Sequence, residues 1–77
     1  MILVDLTGHL VSDKDEEELH EFAANKLNMQ RRWFQTESES LKYPHYSLIS
    51  QYMIKKALRE GAVQVSSQEL IKKYARK

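Results

Sequence analysis

The stretch SDKDEEELHEFAANKLN, residues 12–28, carries the clearest structural pattern in the chain. Acidic residues crowd its start, where the positive end of a helix dipole stabilises negative charge. Two pairs have the spacing of a capping box: Ser12 with Asp15, and Asp13 with Glu16. Apolar side chains then follow the three- and four-residue spacing of a buried helical stripe: Leu19, Phe22, Ala23 and Leu27. The pattern predicts an amphipathic helix over residues 14–28.

Segments on either side of this helix have the composition of β-strands. ILVDL, residues 2–6, is rich in branched apolar residues and ends at the turn signal Thr7-Gly8, after which HLVS reads as a connection to the helix. RRWFQT, residues 31–36, is short, aromatic and bounded by polar residues. AVQV, residues 62–65, follows a glycine. We therefore predict three strands.

Two further helices are predicted in the second half of the chain. From Ser47 onward the apolar residues fall on one broad face, and Gly61 is placed to end the helix: Ile49, Met53, Ile54, Ala57 and Leu58. Ser66 with Glu69 caps the last helix, SSQELIKKYARK, with Leu70, Ile71 and Tyr74 facing inward. ESESLKYPH, residues 37–45, has loop character, and we expect residues 36–42 to be the most mobile internal segment.

The elements alternate as strand, helix, strand, helix, strand, helix. This order predicts a single α/β or α+β domain over residues 1–77, with a small three-stranded, largely parallel or mixed sheet and three helices. In such a sheet, ligands are expected beyond the carboxyl ends of the strands. That edge would hold Asp5, Gln35 and Ser66.

The composition limits the class of protein. A domain of 77 residues buries only about 60% of its unfolded surface, so a second copy or a protein partner could help to stabilise it. The chain has no cysteine and no apolar run long enough for a membrane span, and we expect a cytoplasmic protein. Residues 1–40 hold nine acids and four bases, whereas residues 41–77 hold two acids and eight bases. Such polarity could attract an anionic partner, or it could simply follow helix-end preferences.

Chemical motifs are scarce. The chain lacks a glycine-rich phosphate loop, an HExxH pair and a nucleophile elbow. The spacing of His9, His20 and His45 is not that of metal ligands, so we predict neither a metal site nor a cofactor. His20 lies one helical turn after Glu16, and a hydrogen bond between the two is the simpler reading of that histidine.

Basic residues offer two candidate anion sites. On the second helix, bases and one aromatic ring recur on the face opposite the apolar one, as a nucleic acid would require: Tyr52, Lys55, Lys56 and Arg59. An ordinary solvated face has the same composition. Arg31 and Arg32 could bind a phosphate or carboxylate bidentately, or one of them could pair with the acids of the first helix.

Four blocks of the sequence resemble a family of bacterial and phage proteins, domain-of-unknown-function family 4031: HLVSDKDEEELHEFA, RRWFQ, PHYS and GAVQVSSQEL. The resemblance covers nearly the whole chain and points to eight positions: His9, Asp13, His20, Arg32, Trp33, Gln35, His45 and Tyr46. Ser47 stands where an aspartate is expected. The family implies no activity.

Three functions remain open. The first is a binding module for a phosphate-bearing ligand, a nucleotide or a nucleic acid, that uses Arg32, Gln35, His45 and Tyr46 in a pocket shared with His9 and His20. The second is a small hydrolase or phosphodiesterase with His20 and His45 as base and acid. It requires the two imidazoles and Arg32 to converge in one cleft. The third is a phage or mobile-element factor that binds a host protein.

Overall fold

The computed structural model describes residues 1–35 and 43–74. Nine elements follow one another along the chain: β1 (Ile2–Val4), β2 (His9–Ser12), α1 (Glu16–Leu27), a 3₁₀ turn (Arg31–Trp33), β3 (Phe34–Gln35), β4 (His45–Ser47), α2 (Gln51–Arg59), β5 (Val63–Gln64) and α3 (Ser67–Tyr74). The predicted loop over residues 36–42 lies outside the described residues, as do the side chains of Ile71 and Tyr74.

The described strands form one sheet in the order β3-β4-β2-β1-β5. Only β1 and β5 are parallel, and the other three pairings are antiparallel. An α+β fold with three helices and a mixed sheet is therefore confirmed, whereas the prediction of three largely parallel strands in strict alternation with helices is wrong.

Two strands, β4 and β2, were not predicted. The residues of β4 were assigned to a loop and to the start of the second helix, and β2 was treated as a connection. Its residues turn back at Thr7-Gly8 and pair with β1 as a hairpin, with Val4 opposite Leu10. Gly8 has φ +100, and the carbonyl oxygen of Leu48 occupies the place of an added Cβ. The Leu48 N–H donates to the Gly8 carbonyl at 2.7 Å. The hairpin turn is therefore packed against the chain that leaves β4.

The segment RRWFQ is only partly a strand. Asn28 ends α1 with φ +56, and residues Arg31–Trp33 then form a 3₁₀ turn closed by a bond from the Trp33 N–H to the Gln30 carbonyl. Pairing with β4 begins only at Phe34. Because a turn precedes the strand, strand alternation does not apply to Arg32 and Trp33.

Two apolar layers lie on the two faces of the sheet. The larger layer contains α1 and α2 and the even-numbered residues of β1, β2 and β4: Ile2, Val4, Leu10, Leu19, Ala23, Leu27, Tyr46, Ile54 and Ala57. The smaller layer joins Leu3 and Val11 to Leu70 of α3. Strand residues alternate between these layers, so a residue's layer follows from its position in the pairing.

α1 and α3 lie within their predicted ranges, whereas α2 begins at Gln51 and not at the predicted Ser47, which belongs to β4. Asp15 caps α1 by accepting a bond from the Glu18 N–H at 2.8 Å. Phe22 is only partly buried, although sequence reasoning placed it in the core. Ile49, also predicted to be apolar-facing, precedes the cap Ser50 of α2 and is 89% exposed. The longest described helix has 12 residues, and none has the length and apolar character to cross a bilayer.

Candidate functional site

The three histidines are divided between the two faces of the sheet, with His9 and His45 on one face and His20 against the other. His45 and Tyr46 are neighbours in β4, so their side chains point to opposite sides. His45 meets the ring of His9, with centroids 5.4 Å apart, whereas Tyr46 meets His20 of α1. His20 and His45 therefore cannot act as base and acid in one cleft in this arrangement, and the predicted shared pocket does not form.

Asp5 is the centre of the first polar cluster, and no part of its side chain is exposed. Its Oδ1 accepts bonds from the Thr7 N–H, the Thr7 hydroxyl and the His9 N–H, at 2.9 to 3.0 Å. Its Oδ2 lies 2.8 Å from His9 Nδ1, which must donate because an ionised carboxylate only accepts. Burial raises the pKa of Asp5, but the bonds from His9 and Thr7 outweigh burial and leave that pKa below its ordinary value.

His45 completes this cluster from β4. Its Nδ1 donates to the Tyr43 carbonyl at 2.6 Å, whereas its Nε2 is buried without a hydrogen-bond partner. Burial lowers the pKa of His45, and the bond to Tyr43 opposes that change only in part. The side chain is fully buried, so a ligand outside the protein does not reach it in this conformation.

The second polar cluster lies under α1. His20 Nδ1 is 2.7 Å from the Tyr46 hydroxyl, and the ring of Phe34 packs against both side chains. Burial, followed by the positive charge of Arg31, lowers the pKa of His20. Burial raises the pKa of the Tyr46 phenol. The predicted pairing of His20 with Glu16 is replaced by a bond to a core tyrosine, which joins α1 to the sheet.

Stability should fall as the pH is lowered below about 6.5. The folded pKa values of His20 and His45 lie below the ordinary 6.5, so the folded state binds fewer protons than the unfolded state. Their contribution is complete above pH 6.5 and is lost as the pH falls towards the folded values. Urea denaturation at pH 7.5 and 5.5 measures this loss. A His45→Gln variant should show a shallower decline, and an identical decline would contradict the role of His45.

A surface cleft of about 460 Å³ lies beside the 3₁₀ turn, and we call it the tryptophan cleft. Its lining comes from the end of α1, the turn, β3, β4 and the start of α2: Met29, Arg32, Trp33, Gln35, Ser47, Ile49 and Met53. Arg32 and Gln35, predicted as ligand-binding residues, are therefore brought together. His20 and His45 do not line this cleft, although His45 is the cross-strand partner of Gln35.

The outer surface of α2 forms the second exposed feature, the basic face, made of Tyr52, Lys55, Lys56 and Arg59. Tyr52 is 69% exposed, Lys55 and Arg59 are exposed, and Lys56 is half-buried. No ion pair involves the three bases within residues 1–35 and 43–74. The predicted clustering of these four side chains on one helical face agrees with the structure.

Within residues 1–35 and 43–74, no three histidine, aspartate or glutamate side chains are arranged to hold a metal ion. His9 and Asp5 form a bonded pair, and His45 adds a single imidazole. Asp13, which the family resemblance singled out, lies exposed in the turn between β2 and α1.

The comparison with protein families identifies the chain. The family described as protein of unknown function (DUF4031) matches residues 4–77. The chain belongs to this family. No curated protein and no solved structure matches it significantly. The predicted resemblance is therefore confirmed, and the assignment of a function rests on the geometry of the site.

Some residues of the Asp5 cluster and of the tryptophan cleft were not predicted from the sequence. Asp5 was placed at a sheet edge but not recognised as the partner of His9, although their spacing across Thr7-Gly8 is that of a tight hairpin. Ser47, Ile49 and Met53 were not expected in a cleft with Arg32. No local pattern indicates that contact, since it depends on the pairing of β3 with β4.

Proposed function

We propose that the protein binds a phosphate-bearing ligand, a nucleotide or a nucleic acid, through the basic face of α2. The observation that carries this proposal is the uncompensated charge of that face. The helix QYMIKKALR contains three bases and no acid, and the bases form no ion pair with the described residues. Exposed, unpaired bases on one surface attract a polyanion and release its counterions on binding.

The distribution of acids strengthens this attraction locally. The net charge of the chain is only +1, so the protein as a whole has little attraction for an anion. The acids are concentrated on α1, whose first turn holds Glu16, Glu17 and Glu18, and this leaves α2 as a separate positive surface. A phosphate ligand should therefore approach α2 and avoid the start of α1.

Tyr52 adds an exposed aromatic ring to this surface, and attraction between opposite charges alone does not require such a ring. Its ring is 69% exposed and lies one helical turn from Lys55 and Lys56. An aromatic ring interleaved with bases is the arrangement on which exposed nucleobases stack while phosphates meet the cations. This combination favours a nucleotide or nucleic acid over inorganic phosphate.

A charge-matched pair of variants tests the proposal. Replacing Lys55 and Arg59 with glutamine should weaken binding of a labelled single-stranded oligonucleotide about tenfold at low salt, as measured by fluorescence anisotropy. The salt dependence of log K should become shallower by about 1.4, which corresponds to two lost contacts with a single strand. The matched control replaces Lys14 and Lys26, which are exposed outside α2, and changes the net charge equally.

The control variant distinguishes binding by the basic face of α2 from attraction by the net charge of the protein. Both side chains of the test pair are exposed, so urea denaturation should show little loss of stability. Equal weakening by the two double variants would show that only net charge matters. Binding no tighter than that of an unrelated protein of the same charge would also contradict the proposal.

A further inference from the structure

Resting on the proposed function, we infer that the ligand is single-stranded nucleic acid and that the tryptophan cleft accepts one of its bases. The first argument is continuity between the two surfaces. Ile49 and Met53 line the cleft, and Tyr52 and Lys56 each lie three residues further along. Arg59 lies about 9 Å beyond Met53 along the helix axis. A strand whose phosphates lie on the basic face therefore passes the mouth of the cleft.

The second argument is the exposed apolar surface at this place. Six large apolar side chains are exposed among the described residues, and three of them are Trp33, Ile49 and Tyr52. Trp33 belongs to the 3₁₀ turn and Ile49 to the β4–α2 connection, so two separate segments supply apolar walls to one cleft. The flat face of an indole is a stacking surface for any base.

The third argument is the polar lining. Arg32, Gln35 and Ser47 contribute a guanidinium, an amide and a hydroxyl group to the same cleft. The side chains of these three residues make no hydrogen bond to other described residues, so their donors and acceptors are open to a ligand. Apolar walls with a few polar groups suit a base, which has two flat faces and a polar edge.

These features distinguish a single strand from a duplex. In a duplex the bases are stacked on one another and cannot enter a cleft, so only the phosphates would contribute. An unpaired strand can turn a base into the cleft while its phosphates remain on the basic face. The volume of about 460 Å³ lies within the range of small-molecule sites.

The experiment compares three probes of equal length: a single-stranded oligonucleotide, its abasic analogue and the corresponding duplex. The base-containing strand should bind about tenfold more tightly than the abasic strand, because base stacking is lost in the latter. Trp33 is the only tryptophan of the chain, so its fluorescence reports directly on the cleft. Quenching should occur with the base-containing strand and not with the abasic strand.

Substitutions of residues that line the tryptophan cleft test whether the base binds there. Trp33→Ala should reduce the affinity for the base-containing strand to that for the abasic strand and leave the abasic affinity unchanged. Ile49→Ala serves as a second variant, because a side chain that is 89% exposed is not required for folding. It should weaken only the base-containing strand, about threefold. The matched control is Leu6→Ala, an exposed apolar residue of the β1–β2 turn, which should change nothing.

The outcomes separate the inference from the proposed function. Equal affinity for base-containing and abasic strands, with both weakened by the Lys55 and Arg59 replacements, would overturn the inference and leave the proposed function intact. Tighter binding of the duplex than of the single strand would also overturn it. Absence of binding to all three probes would overturn both.

Discussion

Replacing Gly8 with alanine should destabilise the protein by about 4 kcal/mol, through two separate effects. Its φ of +100 lies in a region that costs an L-residue roughly 1 to 3 kcal/mol. The added Cβ would also overlap the Leu48 carbonyl oxygen and lie 3.2 Å from its carbon. Relief of that overlap requires backbone movement, with a cost of roughly 1 to 3 kcal/mol. Urea denaturation of the variant measures the sum.

Gly61 provides a matched control for the overlap. Its φ is +114, but no atom lies within 4 Å of an added Cβ. Gly61→Ala should therefore show the conformational cost alone, roughly 1 to 3 kcal/mol. Equal losses for the two variants would mean that the contact between the hairpin turn and Leu48 contributes nothing. In a small domain, whose total stability is expected near the lower end of about 5 to 15 kcal/mol, the Gly8 variant should be partly unfolded at room temperature.

Replacing Asp5 with alanine should cost about 3 kcal/mol, because it removes the acceptor of four hydrogen bonds at once. Thr7 is exposed, so its N–H and its hydroxyl group can form hydrogen bonds with water instead. This limits the loss of stability. His9 Nδ1 is partly buried, and it loses its carboxylate. Chemical denaturation at pH 7 compares the variant with the parent protein, and a loss below about 1 kcal/mol would contradict the organising role of Asp5.

Asp5→Asn separates charge from hydrogen bonding, and Asp15→Ala gives the cost of losing an exposed carboxylate for comparison. Asp5→Asn keeps an oxygen that can accept from the Thr7 and His9 N–H groups, so it should be less destabilising than alanine. Asp15→Ala removes the exposed cap of α1 and should cost about 1 kcal/mol. The folded pKa of Asp5 is below its ordinary 3.8, so its contribution is present above pH 3.8 and is lost as the pH falls through the folded value. Asp5→Asn should abolish that part of the acid sensitivity.

The candidate sites were only partly predictable from the sequence. The four residues of the basic face belong to one helix, α2, where spacing alone places them together. Arg32 and Gln35 line one cleft with Ile49 and Met53, and the histidines do not line it, although His45 is the cross-strand partner of Gln35. His20 and His45 come from α1 and β4, so whether they meet depends on which sides of the sheet they occupy.

The two strands that were not predicted, β2 and β4, also depend on contacts between segments that are distant in the chain. HLVS has only four residues and lacks the strict alternation of a half-buried strand, because Leu10 and Val11 are buried on opposite faces. β4 has three residues that follow a proline. Such short segments become strands only because a neighbouring segment supplies their hydrogen bonds, and their own side chains do not indicate it.

The sequence by itself determined the three helices, the turn glycines and the exposed bases of α2. These features depend on interactions within about four residues: capping bonds, the helical repeat and the freedom of glycine to adopt a positive φ. Tertiary structure alone decided the sheet order, the separation of His20 from His45 and the formation of the tryptophan cleft. Each of these depends on backbone pairing between segments far apart in the chain, and a one-residue change of strand register would exchange the two faces.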